Sequence, residues 1–265
     1  MKHIFLVELR RALNGWFMAA VVGTAFAICF DSWNDLIQSL ETGVGEVHYF
    51  FWNSAYGGMC RNYLIPVFAA FPFAASFCRE RKNRSLIYIA AREGRRGYCI
   101  IKYIVTVLSG GVVIALGTAL TLALLSMSFP MVDMAEYQET AFSDVFHEWS
   151  AVYHPAAYCM IQTGLGLFRG MIWSGMALFV SIFTEDPFVV IASPYVGNYA
   201  VGHFSRLLHL NNEYRIDMIL IGRSVIHSNL CTMIIAFIVT MILLFVIGVL
   251  FTNKVDRRLR DGTIT

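Results

Sequence analysis

The stretch RERKNRSLIYIAAREGRR, residues 79–96, decides how the rest of the chain is interpreted. It carries seven Lys and Arg in eighteen residues and lies between two long apolar runs. Basic residues that flank a membrane span stay on the cytoplasmic side. We therefore expect an integral membrane protein in which this stretch faces the cytoplasm and presents a short helical segment, Ser85 to Arg92.

The composition indicates that lipid is the solvent of this chain. Of its 265 residues, 57% are hydrophobic and 14% are charged, and the mean hydropathy is +0.61. A soluble domain carries about 25% charged residues. The formal net charge of +2 is too small to indicate a nucleic-acid partner.

Six apolar segments are each expected to cross the bilayer as a helix, which takes about 20 residues. The fold class is therefore an all-α integral membrane protein with six transmembrane helices. The segments are Gly15 to Phe30, Tyr63 to Cys78, Tyr98 to Phe129, Ala156 to Phe183, Phe188 to Phe204 and Asn229 to Phe251.

The charges agree on one orientation. With both termini inside, 15 of the 20 Lys and Arg fall on the cytoplasmic side, and the segments after the first and third spans are acidic. This sorting predicts cytoplasmic N and C termini and an even number of spans. The acidic residues on the outer side are Asp31, Asp35, Glu41, Glu46, Asp133, Glu136, Glu139, Asp144 and Glu148.

We expect a single transmembrane domain, residues 1–265, and the segments outside its spans form four further parts. We expect an amphipathic surface helix at residues 1–14, because apolar and charged residues alternate there with helical spacing. Residues 79–98 form the basic inner loop and residues 130–155 an outer loop. Residues 203–228 are too polar for a span but partly apolar, and are expected to form re-entrant outer helices before the last span.

Five residues outside the basic loop are candidates for a substrate pathway or an interface. Arg169 lies near the middle of the fourth span, where an arginine costs at least about 2.5–3.5 kcal/mol. It either contacts an anionic substrate group, locks a subunit interface, or snorkels to the membrane surface. Prolines interrupt the second and fifth spans beside Phe68, Phe71, Tyr195 and Asn198. These side chains could line a conduit, or simply pack against helices and lipid.

Catalytic motifs are not found in the sequence. There is no G-x-x-x-x-G-K-[ST] loop, so the chain itself is not expected to bind ATP or to be an enzyme. The histidine spacings match no zinc pattern, and no metal is predicted. Small residues around Ser174 are typical of a helix-packing surface rather than of a serine nucleophile.

The run Arg79-Glu80-Arg81-Lys82-Asn83-Arg84-Ser85-Leu86, followed by Gly94-Arg95-Arg96-Gly97-Tyr98 and Lys102, resembles the membrane subunit of ABC-2-type ABC transporters. The order of elements along the chain is also similar to this exporter permease family. Two departures occur: Arg84 stands where glycine is usual, and Ala91-Arg92 where a proline is common.

The resemblance implies that Ser85 to Arg92 is a coupling helix resting in a cytoplasmic ABC ATPase. Its apolar contacts would be Leu86, Ile87, Tyr88 and Ile89. The polar rim would comprise Arg79, Glu80, Arg81, Ser85, Arg92, Arg95 and Arg96.

The resemblance also implies the partners and the location. Two ATPase copies would hold ATP and Mg, and a second permease copy or paralogue would complete the pathway in the bacterial cytoplasmic membrane. The substrate would be a peptide, a hydrophobic drug or a lipid-like molecule.

Two alternatives remain open at the level of sequence. The basic loop could bind a regulator in a membrane scaffold or sensor that transports nothing. An ion-coupled secondary transporter usually places ionisable residues in mid-membrane within repeated halves. Only Arg169 fits that description, and no internal repeat is evident.

Overall fold

A computed structural model describes residues 2–83, 85, 86, 88, 89, 94–132, 154–211, 214–222 and 229–261. These residues form helices and connecting turns, and none of them lies in a β-strand. The helices are α1 (Lys2–Ala12), α2 (Gly15–Asp31), α3 (Trp33–Thr42), α4 (Val47–Gly57), a π-helical turn (Cys60–Leu64), α5 (Ile65–Ala70), α6 (Ser76–Lys82), α7 (Arg95–Ser128), α8 (Pro155–Val180), α9 (Pro187–Leu207), α10 (Ile216–Ile221) and α11 (Asn229–Arg260).

Three helices of the described chain, α7, α8 and α11, are long and apolar enough to cross a membrane. A fourth span results if α1 and α2, which meet at a bend of 50°, are counted together. The protein is therefore all-helical with the character of a membrane protein. The other predicted spans are helical in whole or in part, but α2 has 17 residues and the second segment is broken.

The second predicted span is divided into three short pieces. Its first piece is the π-helical turn Cys60–Leu64, and α5 follows with Pro66 in its first turn, where a missing N–H is tolerated. Residues 71–75, which include Pro72, form turns before α6 begins. The kink expected at Pro72 is therefore present, whereas the π-helical turn contains no proline and was not predicted.

The fifth predicted span is continuous, contrary to the expectation that Pro194 breaks it. Helix α9 runs through this proline to Leu207. Proline removes the N–H that would bond to the carbonyl of Val190. The Ser193 hydroxyl donates to that carbonyl at 2.8 Å instead, so the carbonyl remains satisfied.

Close contact between α7 and α8 forms the centre of the bundle. A Cβ atom added to Gly170 would lie 2.5 Å from the Gly110 carbonyl oxygen and 2.9 Å from the Gly111 Cα. Glycine at these positions lets the two backbones touch, as small residues do in membrane bundles. Ser174, one turn further on, lies against Gly110 and serves this packing.

Several predicted segments fall wholly or partly outside the described residues. Most of the outer loop lies in residues 133–153, and parts of the re-entrant region lie in 212–213 and 223–228. In the described part of that region, α10 is a short helix that ends at Gly222, whose φ of 86° favours glycine. The residues predicted to form the surface helix are helical as α1, with Ile4 and Ala12 buried against α7.

Candidate functional site

Two buried arginines hold the broken second segment. The Arg169 guanidinium on α8 donates to the backbone carbonyls of Arg61 and Asn62, at 2.8 and 2.7 Å. Asn198 on α9 donates its side-chain amide to the same Asn62 carbonyl at 2.8 Å. Pro66, five residues after Arg61 and four after Asn62, has no N–H to donate to these carbonyls, and buried backbone groups must be satisfied. Arg169 and Asn198 therefore attach α8 and α9 to this turn.

Arg61 itself points to the other side of the turn. Its guanidinium donates to the Phe51 carbonyl at 2.5 Å and the Ile221 carbonyl at 3.2 Å, and lies 3.4 Å from Gln162 Oε1. Asp31, at the end of α2, accepts from the Arg61 backbone N–H at 2.6 Å. The turn is thus held from α2, α4, α8, α9 and the end of α10.

A cavity of about 240 Å³ lies between α8, α9, α10 and α11. Its walls are apolar apart from Arg169, Asn198 and Asp217. A second, adjoining cavity of about 150 Å³ shares Asn198 and Asp217 with the first. The second cavity is lined by polar and charged groups as well as apolar ones. Its wall comprises Asn62, Tyr63, Asn198, Gly202, Arg206, Arg215, Asp217, Met218 and Ile221.

Arg169 is 4% exposed, so its guanidinium is buried in the chain and does not snorkel to a surface. Both of its hydrogen bonds go to carbonyls, and no described carboxylate forms an ion pair with it. Asp217, on the shared wall, is already paired with Arg215 at 2.8 Å. The site therefore combines an apolar chamber with a polar chamber that has excess positive charge among the described residues.

The structure brings together some of the predicted pathway residues and not others. Arg169 and Asn198 share one cavity wall. Tyr195 is 44% exposed and packs on Tyr63, with ring centroids 5.7 Å apart. Phe68 and Phe71 lie elsewhere: they pack on each other and on α2, where Trp16 contacts Phe71 and Gly23 faces Phe68. These two phenylalanines therefore do not line the cavity, because Phe68 on α5 and Phe71 just after it face α2.

A second cluster lies at the basic end of the bundle. This end is defined by Arg79–Lys82, Arg95, Arg96 and the last residues of α11. Lys102 on α7 is fully buried and forms ion pairs with Glu8 at 2.9 Å and Glu80 at 2.7 Å. Arg11 pairs with the same two carboxylates, each at 2.8 Å. The Tyr98 hydroxyl also donates to Glu80. This ionic cluster ties α1, α6 and α7 together with two positive and two negative charges.

The charge of Glu80 is maintained by its neighbours. Burial by itself would raise the pKa of the Glu80 carboxyl. The Lys102 ammonium, the hydrogen bonds from Lys102 and Tyr98, and the charge of Arg11 outweigh burial and hold the pKa below its usual value. The Glu80 carboxylate is therefore satisfied in its ionised form.

An apolar cluster adjoins the ionic one at the basic end. Leu86 is 1% exposed and packs in this cluster, so it faces the chain's own core rather than a partner surface. Ile89 is partly buried on the same cluster, whereas Tyr88 is 78% exposed. The buried members come from α6, α7, α8, α11 and the segments that adjoin them: Phe77, Leu86, Tyr98, Cys99, Leu178, Ile182, Phe251 and Val255.

The polar residues predicted around the coupling helix have different environments. Arg81 donates to the Ile182 carbonyl and to Glu185, both at 2.9 Å, and so joins the two inner connections. The Ser85 hydroxyl donates to the Glu80 carbonyl at 3.3 Å. Arg79 and Arg95 are exposed, and Arg96 lies 3.3 Å from Asp256 on α11. Ile87 and Arg92 lie outside the described residues.

Sequence reasoning missed the residues that complete both sites. Glu8 and Lys102 are 94 positions apart, and nothing local indicates that they meet. Arg61 and Asn62 fall just before the expected start of the second span and were therefore left outside it. The available sequence signal for this turn was a charged residue and an amide residue, Arg61 and Asn62, between Cys60 and the apolar run that follows. Among the described residues, no group of three or more His, Cys, Asp or Glu could hold a metal ion.

Comparison with known proteins finds no matching family model, no matching curated protein and no matching solved structure.

Proposed function

We propose that this chain is the membrane permease subunit of an ABC-2-type exporter. In this proposal α2, the broken second segment, α7, α8, α9 and α11 cross the bacterial cytoplasmic membrane. Both termini and residues 79–98 face the cytoplasm, as the distribution of Lys and Arg favours. The chain has no nucleotide-binding motif, so a separate cytoplasmic ATPase supplies the energy.

The observation that carries the proposal is the way residues 79–98 are anchored. Glu80 and Tyr98, at the two ends of the segment, belong to the ionic cluster that fixes α1 to α7. Leu86, in its middle, packs on α7, α8 and α11. A force applied to the exposed Tyr88 is therefore transmitted to three long helices at once. An ATP-driven subunit needs a mechanical connection of this kind to move membrane helices.

The proposal implies a complex of two permeases and two ATPases. A single chain of this size supplies half of a pathway, and closed symmetric pairs are the commonest assemblies. ATP binding would bring the ATPases together and move the helices between two arrangements. The substrate would be a peptide, a hydrophobic drug or a lipid-like molecule leaving the cytoplasm or the inner leaflet.

The test is purification of the tagged chain from its native membrane, followed by mass spectrometry. We expect a P-loop ATPase in a stoichiometric amount. Tyr88→Glu should abolish its recovery without lowering the amount of inserted chain, because a charge replaces the exposed aromatic contact. Tyr214→Glu is the matched control, since Tyr214 is 62% exposed near the opposite end of the bundle. An ATPase that is absent, or that is retained in Tyr88→Glu, would reject the proposed docking.

A further inference from the structure

The two adjoining cavities differ in polarity, and this difference suits one kind of ligand. The 240 Å³ cavity is an apolar chamber, and the 150 Å³ cavity beside it is a polar chamber. Asn198 and Asp217 belong to the walls of both, so the two chambers lie side by side. An apolar part joined directly to a polar part is the composition of an amphiphile.

The charges around the chambers indicate the sign of the polar part. Three arginines and one aspartate line them: Arg169, Arg206, Arg215 and Asp217. The aspartate is paired with Arg215 at 2.8 Å. Arg206 is exposed, and its hydrogen bond among the described residues goes to the Gly202 carbonyl of its own helix, at 3.2 Å. The charges of these four described residues sum to +2, and arginines form strong charge-assisted hydrogen bonds to an anion.

The size of the apolar chamber limits the apolar part. An apolar cavity of about 150 Å³ holds a benzene molecule, and this chamber is larger. Pockets for drug-sized ligands start at about 300 Å³, and this chamber is smaller. It therefore has room for one short aliphatic chain. Val201 lines the chamber and is also 44% exposed, so the chamber opens between helices to the outside of the bundle.

We propose that these chambers bind one aliphatic chain and the anionic head, phosphate or carboxylate, of an amphiphile. The chain lies between Trp173, Val201 and Leu243, and the head lies among Asn198, Arg206 and Arg215. Such a molecule is either a membrane lipid or a transported substrate. The inference does not depend on the proposed ATPase, since both chambers are formed within one chain.

The probe is 12-bromododecyl phosphate, whose bromine quenches a tryptophan that it touches. Trp173 lines the apolar chamber and is 7% exposed. The protein carries Phe in place of Trp16, Trp33, Trp52 and Trp149, so that fluorescence reports on Trp173 alone. In detergent micelles we expect saturable quenching that dodecyl phosphate competes away. Dodecanol and inorganic phosphate should compete at least tenfold less well.

Two pairs of variants test the assignment of the chambers. Val201→Phe fills the apolar chamber and should abolish saturable quenching. Val196→Phe is its matched control on the same helix, because Val196 is 63% exposed and lines neither chamber. Arg206→Gln should weaken binding about fivefold, the effect of one charge pair about 4 Å apart in water-like surroundings. Tyr214→Gln, outside both chambers, should leave binding unchanged.

The outcomes separate the possibilities. Quenching that rises linearly with probe, or that is equal for 12-bromododecanol, would overturn the proposal, since it reports partition into the micelle. Unchanged binding by Val201→Phe would do the same. Nanodiscs containing phosphatidylglycerol with brominated chains distinguish a membrane lipid from a transported substrate. Quenching in these nanodiscs supports a resident lipid, whereas quenching by the single-chain phosphate alone supports a transported amphiphile. If the single-tryptophan protein does not fold, native mass spectrometry of the unaltered chain and Val201→Phe makes the same comparison.

Discussion

Replacing Lys102 by methionine removes the central charge of the ionic cluster while keeping a side chain of similar length. The ammonium is fully buried and donates to Glu8 at 2.9 Å and to Glu80 at 2.7 Å. After the change, two buried carboxylates share only Arg11, whose side chain is 46% exposed. The cluster then carries one uncompensated negative charge.

Two independent estimates give the size of the effect. Two hydrogen bonds to charged groups contribute about 1.5–3 kcal/mol each, or about 3–6 kcal/mol together. Removing one partner from a buried ion pair costs about 3–5 kcal/mol. We therefore expect Lys102→Met to lower the free energy of unfolding by about 3–5 kcal/mol. The same change at Lys82, an exposed lysine on α6, should stay within about 0.5 kcal/mol.

The assay is unfolding by SDS titration in mixed micelles, followed by tryptophan fluorescence. A double variant, Lys102→Met with Glu80→Gln, restores charge balance because Glu8 and Arg11 remain paired. Its loss should be smaller than the sum of the two single losses by about 1 kcal/mol or more, the coupling expected of residues in contact. A loss below about 1 kcal/mol for Lys102→Met, or strict additivity in the double variant, would refute the reasoning.

The remaining predictions concern pH, helix packing, the broken segment and topology. Glu80 has a lowered pKa in the folded chain. Its contribution to stability is therefore present above its usual pKa of 4.5 and is lost as pH falls below that value. Acid unfolding curves should show this loss, and Glu80→Gln should make the stability less dependent on pH. Gly170→Ala should destabilise by about 1–3 kcal/mol in the same SDS titration, because its Cβ meets backbone 2.5 Å away. Gly164→Ala, with its nearest atom at 3.8 Å, should be neutral or stabilising by up to about 1 kcal/mol. Arg169→Met should cost about 1.5–3 kcal/mol, because the Arg61 carbonyl loses its donor while the Asn62 carbonyl keeps the Asn198 amide. Arg206→Met on an exposed face should cost under about 0.5 kcal/mol, and equal losses would contradict the role given to Arg169. Green fluorescent protein fused to the C terminus should fluoresce and alkaline phosphatase there should be inactive, and the reverse would contradict the proposed orientation.

The long helices could be predicted because their signal is local. Segments such as α7, α8 and α11 need only a sufficient run of apolar residues, and the prolines that begin α8 and α9, Pro155 and Pro187, lie where sequence rules place them. The kink near Pro72 follows from the chemistry of proline alone. The continuity of α9 does not, because it depends on the rotamer of Ser193, whose hydroxyl replaces the missing donor.

The sites were less predictable because they depend on distant partners. Arg169 was noticed from its cost in a membrane, but its bonds to the carbonyls of Arg61 and Asn62 require a π-helical turn that no local pattern indicates. Leu86 was assigned to a partner surface by resemblance. Its side chain instead fills the core beneath residues 79–98, since an apolar residue on a short helix packs wherever its own fold offers a pocket.

The most direct test of the central claim is site-specific photo-crosslinking in native membranes. Benzoylphenylalanine replaces Tyr88 in one protein and Tyr214 in another, so that the same probe is exposed at opposite ends of the bundle. The account predicts that position 88 gives one major adduct whose peptides come from a P-loop ATPase, and that position 214 does not. No adduct at position 88, or the same adducts at both positions, would contradict an ATP-driven permease coupled through this segment.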